Sequence, residues 1–433
     1  MKALLAAFLV TLTALFASAS PARASGGAGI QVRDGRLVEA TGSDLILRGV
    51  NYDFMSYPNE NGSFRAIKAA GANAVRIPLG IGYRWRASDA PEVATVVGLC
   101  RQVRLICVLD AHDTMGFGQD PMAATMAQAV RFWIDVRQAL VGQEDYVIIN
   151  IANEPFAHGQ TMPWAAQTAD AIRQLRAAGF AHTLMVDAPG WGQDESFIMR
   201  DKAQQVIAAD PSGNTIFDVH MYGLFGTPGK VNDYLGSFTS RRLPIVIGEF
   251  AAEHEWGDPD EDAIMAAAQA NRLGYFGWSW SGNGRQYSYL DLVNNFEAGS
   301  RTAWGRRLIS GPDGLSTATR EATIYRSGTG ADRTKGRSRA PQHVRVSDVT
   351  SGSAHLKWKR RPGPAWMTTY QVVTVDGGTE THLLTTTKSS VTLTDLNPST
   401  GYTFAVYARN LIGHRSPRSA LVAAVTPPAY QGR

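Results

Sequence analysis

Residues 147–155 read Val147-Ile148-Ile149-Asn150-Ile151-Ala152-Asn153-Glu154-Pro155. Apolar, β-favouring side chains occupy both faces of the run, the pattern of a strand covered on both sides. Pro155 has no N–H to give a ladder, so the strand is expected to end at Glu154, with that carboxylate on its carboxyl rim. Residues 243–251, Leu243-Pro244-Ile245-Val246-Ile247-Gly248-Glu249-Phe250-Ala251, repeat the design and close on Glu249. Two carboxylates on the ends of two parallel strands are the minimum equipment for cleaving a glycosidic bond. Either glutamate alone reads more simply as a helix cap or an ion-pair partner. The pair, set among the flanking strands, reverses that preference.

Outward from these two runs, strands and helices alternate from Leu45 to Ser281. Strands are expected at 45–51, 74–79, 105–113, 147–154, 182–189, 216–222, 243–250 and 274–281. Helices are expected at 64–70, 91–102, 123–140, 164–178, 231–242, 260–272 and 302–309. Eight such strands in about 250 residues predict a (β/α)8 barrel. The rival, a doubly wound open sheet, would carry a Gly-rich phosphate turn after an early strand, and the sequence has none.

Polar and aromatic residues gather at the carboxyl ends of these strands, where barrel enzymes build their sites. Arg76, His112, Asn153, Glu154, His220, Tyr222, Glu249, Trp278 and Trp280 all fall there. Asn153 is placed to hydrogen-bond a sugar 2-hydroxyl. Arg76 and the Tyr222 hydroxyl would keep Glu249 ionised. Glu154, drier and facing another carboxylate, would have its pKa raised and stay protonated. Trp278 would floor the subsite of the distorted sugar, and Trp280 shares its parity. The plainer readings are core histidines for His112 and His220, a structural ion pair for Arg76 and core packing for Trp278. The histidines lack the spacing of a metal site, and no metal is expected.

The chain has 433 residues, too many for one ordinary domain. Charged residues make up 18% and apolar ones 44%, with a formal charge of +4. This composition suits a large core and argues against a disordered or nucleic-acid-coating chain. Ten tryptophans and fourteen tyrosines offer sugar-stacking rings or core filling. Residues 1–24 read as a secretory signal peptide: Lys2, an apolar stretch to Phe16, and Ala22-Arg23-Ala24 as the cleavage site. The stretch is too short for a membrane anchor, so a secreted protein is expected. Cys100 and Cys107 fall on one side of the barrel wall, as a disulfide or as two buried thiols.

A polar, basic linker is expected at 326–340, separating a catalytic domain at 25–325 from a second domain at 341–428. The second domain holds seven short alternating segments, the signature of a β-sandwich. It resembles a fibronectin type III module through Trp358, Tyr370 and the run Leu396, Pro398, Thr400 and Tyr402, which would set Tyr402 at a tyrosine corner. Trp366 is a candidate exposed aromatic.

The barrel resembles glycoside hydrolase family 5, whose shared positions match here at Arg76, His112, Asn153, Glu154, His220, Tyr222, Glu249 and Trp278. Within that family it is similar to the bacterial β-mannanases. The carriers are Val108–Gly116, Ile149–Pro155, Val186–Asp194 with Trp191 at its centre, His220–Tyr222, Val246–Phe250, Trp278–Asn283 and Leu290–Asn294. Asp110 and Ala111 stand where the resemblance leads one to expect Glu and Val, and Gly190 where it leads one to expect Asn. The resemblance implies retaining hydrolysis of internal β-1,4-mannosidic bonds, with Glu154 as acid/base, Glu249 as nucleophile and Trp191 among the substrate-binding residues. It implies no cofactor, no membrane or nucleic-acid partner, and a monomer acting on β-mannan and manno-oligosaccharides. A β-1,4-glucanase is the runner-up, and a non-catalytic glycan-binding barrel the alternative of another class.

Overall fold

The structure is a computed structural model, and it describes residues 29–326, 340–359, 368–410 and 415–429. The expected signal peptide, nearly all of the linker and Trp366 lie outside the described residues. Eight parallel strands close into a barrel: Arg48–Asn51, Ala74–Leu79, Ile106–Ala111, Val147–Asn150, Leu184–Asp187, Thr215–Met221, Ile245–Phe250 and Gly274–Gly277. The eighth pairs with the first, Phe276 opposite Gly49, and completes the ring. A short hairpin, Gln31–Arg33 with Arg36–Val38, precedes the barrel.

Helices Gly62–Ala69, Ala90–Gln102, Met126–Asp135, Trp164–Ala177, Ile198–Ile207, Pro228–Thr239, Glu261–Ala270 and Ala303–Ser310 pack around the barrel. Asp89, Thr125, Thr227, Asp260 and Thr302 each cap one of them by accepting a backbone N–H three residues on. Such caps occupy donors that the first turn leaves orphaned. The Thr125 cap starts its helix later than the sequence led one to expect. Ile198–Ile207 escaped the sequence reading altogether, because in this polar run only Met199, Ala203 and Val206 are buried.

Alternate strand residues share a face, and the inward faces form layers. At the amino end Ala74, Ile106, Val108, Ile148, Met185, Ile216, Val246 and Phe276 fill the barrel with apolar side chains. Residues of the opposite parity, such as Val75, Cys107, Ile149 and Ile247, pack outward against the helices. Cys100 and Cys107 are thiols in this outer layer, buried, with sulfurs 2.7 Å apart.

The carboxyl-terminal domain pairs a three-stranded antiparallel sheet with a four-stranded one. Trp358 and Tyr370 meet in its core with ring centres 5.2 Å apart. The backbone N–H of Asn397 donates to the Tyr402 hydroxyl at 2.8 Å, the contact a tyrosine corner makes.

Candidate active site

The expected strand end at Glu154 is corrected: the fourth strand stops at Asn150, and Glu154 lies beyond it with a φ of 41°. The turn between them is pinned rather than free. Asn153 N–H donates to the Ala111 carbonyl at 3.0 Å, and the Thr114 hydroxyl donates to the Asn153 carbonyl at 2.6 Å. The Glu154 N–H donates to Asp187 Oδ2 at 3.1 Å. Glu249 sits inside its strand, directly opposite His220 of the sixth. One oxygen of Glu154, one of Glu249 and a His220 ring nitrogen all lie within 4.8 Å of one another.

Arg76 is the hub. Its guanidinium donates to Glu249 Oε1 at 2.7 Å, Asn153 Oδ1 at 2.7 Å, Asn150 Oδ1 at 2.9 Å and Asn51 Oδ1 at 3.0 Å. Asp110 and Asp187 stand 3.3 and 3.4 Å away. Burial disfavours its charge, but Asp110, Glu249, Asp187 and Asp218 outweigh burial and raise its pKa. Tyr222 donates to Glu249 Oε2 at 2.9 Å. His112 Nδ1 meets Asp110 Oδ2 at 2.6 Å, and its ring stacks parallel to Trp278 at 5.8 Å. Asn153 Nδ2 is buried and has no hydrogen-bond partner among the described residues.

His220 Nδ1 lies 2.7 Å from Glu154 Oε1. Burial opposes its charge, yet Glu249, Asp218, Glu154 and Asp187 together raise its pKa well above the ordinary histidine value. This reverses the expectation for the two glutamates in the resting site. Burial pushes Glu154 up, but the His220 hydrogen bond and charge, then His112 and Arg76, bring it below the ordinary value. Burial raises Glu249, and the opposing pull of His220 and Arg76 does not cancel it. The sequence reading missed this because it gave Glu154 no cationic neighbour.

Two tryptophans part company. Trp278 is half-buried and donates from Nε1 to Asn283 at 2.9 Å. Trp280 is 1% exposed and belongs to the core, so the expectation that it meets sugar is corrected. Strand parity does not carry to it, because the eighth strand ends at Gly277. Trp191 lies on the loop after the fifth strand, where its ring covers Gly116, sits beside His158 and donates to Gln119 at 3.3 Å. None of these partners belongs to the carboxylate cluster.

Sequence reasoning passed over Asn51, Asp110, Asn150, Asp187 and Asp218, all fully or almost fully buried. Their signal was a polar residue interrupting an apolar strand, two positions before a rim residue in the cases of Asp110 and Asp218. It also passed over His254, whose ring stacks on Tyr222 at 4.6 Å. His254, Glu253, Glu255, Asp258, Gln286, Tyr287 and Tyr289 line an open groove of about 470 Å³.

A closed barrel bearing two carboxylates and an arginine-centred network at its carboxyl rim is the frame of a glycoside hydrolase, and the comparisons agree. Residues 38–284 match the cellulase family, glycosyl hydrolase family 5, and the chain belongs to it. Residues 339–424 match the fibronectin type III domain. The chain is 49% identical over 321 residues to a mannan endo-1,4-beta-mannosidase of Streptomyces lividans, covering 73% of this chain and 84% of that protein. It is 47% identical over 306 residues to a mannan endo-1,4-beta-mannosidase of Cellvibrio japonicus, covering 70% of this chain and 71% of that one. A Thermomonospora fusca β-mannanase solved in complex with mannotriose superposes with a TM-score of 0.67 at 47% identity, covering 69% of this chain and 100% of that one.

Proposed function

We propose that the chain is a secreted, endo-acting β-1,4-mannanase that cleaves internal mannosidic bonds with retention of configuration. The observation that carries the mechanism is the spacing of the carboxylates: oxygens of Glu154 and Glu249 come within 4.8 Å. Retaining enzymes set their carboxyl groups about 5–5.5 Å apart, whereas inverting ones leave about 6.5–9.5 Å for a water. The substrate reading draws on the three relatives described above, which are named for mannan or mannanase activity.

Glu249 attacks the anomeric carbon. Arg76 and Tyr222 each fix one of its oxygens, so the nucleophile enters the reaction already oriented. Glu154 protonates the departing oxygen. In the resting site the proton for this step rests on His220 Nδ1, 2.7 Å from Glu154 Oε1. It reaches the glutamate by a shift along that hydrogen bond when substrate binds. Glu154, now a carboxylate, then takes a proton from the water that releases the glycosyl-enzyme. The unpartnered Asn153 Nδ2 supplies a donor to the sugar 2-hydroxyl, a contact that strengthens in the oxocarbenium-like transition state. No step calls for a metal or cofactor.

Incubation with manno- and cello-oligosaccharides side by side, with products followed by NMR, tests the proposal. Cleavage of the manno series with initial release of the β-anomer is the expected result. Preference for the cello series would replace the substrate by β-1,4-glucan. Initial release of the α-anomer would overturn double displacement. Binding without cleavage would return the chain to a glycan-binding role.

A further inference from the structure

The reaction as derived leaves one buried charge without a task. Asp218 lies two residues before His220 on the sixth strand, so both side chains point to the same face. It is 0% exposed, and neither carboxylate oxygen has a hydrogen-bond partner among the described residues. His220 supplies the complementary half. Its Nδ1 is committed to Glu154, while Nε2 has no hydrogen-bond partner among the described residues and lies 3.7 Å from Asp218 Oδ2. Nε2 also lies 3.5 Å from Asp187 Oδ2, but Asp187 already accepts from Asn150 Nδ2, the Glu154 N–H and Arg76.

The backbone makes room for this carboxylate. A Cβ on Gly248 would stand 2.0 Å from Asp218 Oδ2, so any larger residue there would expel it. The sixth and seventh strands also shift register beside it, between Val219 and His220. A buried carboxylate left without a partner is destabilising, and the ion pair with His220 is what offsets that here.

We propose that Asp218 is a positioning residue for the acid/base, acting through His220: it anchors Nε2 and thereby keeps the Nδ1–H aimed at Glu154 Oε1. The inference rests on the reading of Glu154 as acid/base. The groups facing the imidazole are Glu154 and Glu249 near Nδ1 at 2.7 and 3.5 Å, and Asp187 and Asp218 near Nε2. Arg76 lies behind Asp187, and Gly192 packs on the ring. Glu249 and Asp187 have other hydrogen-bond donors, and Glu154 is the acid/base that the imidazole serves. Asp218 has no hydrogen-bond donor among the described residues, so its removal breaks no hydrogen bond, although its charge is also felt by Asp187 and Arg76.

The test is the pH profile of kcat/KM for Asp218→Asn on manno-oligosaccharides, in the full chain. A negative charge at this distance favours the imidazolium, and its loss lets the proton shared by His220 and Glu154 leave at lower pH. The alkaline limb should move down by about 1 pH unit. At the optimum kcat should fall several-fold with KM nearly unchanged. A uniform loss of rate with the limb unmoved would overturn the proposal. Should Asp218→Asn fail to fold, ¹⁵N-histidine NMR of the unaltered protein decides: His220 protonated on both nitrogens at pH 8 supports the proposal, and a neutral ring at pH 7 sinks it. The NMR reading stands even if the chain cleaves no mannan, so failure of this inference and failure of the proposed function are separable.

Discussion

The two ends of the barrel interior make a sharp contrast. At the amino end the inward residues are Ile106, Val108, Ile148, Met185 and Ile216; two positions beyond the last of these on each of the four strands stand Asp110, Asn150, Asp187 and Asp218. The lower layer stabilises by excluding water from apolar surface, about 25 cal/mol per Å². The upper layer gains little net stability, because desolvating charges offsets most of their attraction. What the upper layer supplies is fixed geometry: a preoriented charge costs no reorganisation when the transition state forms. The same two-residue period thus delivers packing at one end and catalysis at the other.

The largest test of this contrast is Glu249→Ala. Sugar release should fall by about 10⁴-fold or more while the melting temperature holds or rises. A surviving rate would show that the nucleophile lies elsewhere. Arg76→Met strikes the hub and should cost stability as well as rate, about 3–5 kcal/mol by chemical denaturation, because it strands Glu249, Asp110 and Asp187. An unchanged denaturation midpoint would mean that those carboxylates take up protons and need no cation. Met185→Ala, in the lower layer, should lose about 2–5 kcal/mol through its cavity and leave kcat/KM within a factor of a few. If activity fell in step with stability, the two layers would be coupled and the contrast would fail. The smallest effect belongs to the carboxyl-terminal domain. Removing residues 341–433 should leave the rate on soluble mannan unchanged, and a loss confined to insoluble mannan would assign that domain to the polysaccharide surface.

The rim was legible because each of its residues interrupts a strong pattern. Arg76 inside an apolar strand, Glu249 near the end of another, and Asn153-Glu154-Pro155 just past a further one are local signals, although that last strand stops at Asn150 and not at Glu154. Trp280 was misread by the same logic, since a parity rule holds only while the chain remains in the strand, and this one ends at Gly277. Asp187 carried a signal of the right kind, yet its partners Asn150 and Glu154 lie 37 and 33 positions back in the chain, and the room for Asp218 is made by Gly248 of the next strand. No local window contains such pairings.

By itself the sequence determined the alternation of strands and helices, the closed barrel, the sandwich domain and the presence of two glutamates at the rim, because periodicity and chain breaks are properties of neighbours. Tertiary structure decided which carboxylate is pushed up in pKa and which is held down. The burial that raises Glu249 and the imidazolium that lowers Glu154 are set by residues 29 to 173 positions away in the chain, such as His220 for Glu249 and Arg76 for Glu249. Electrostatic balance in a buried cluster depends on distances in space, and only the closed barrel fixes those.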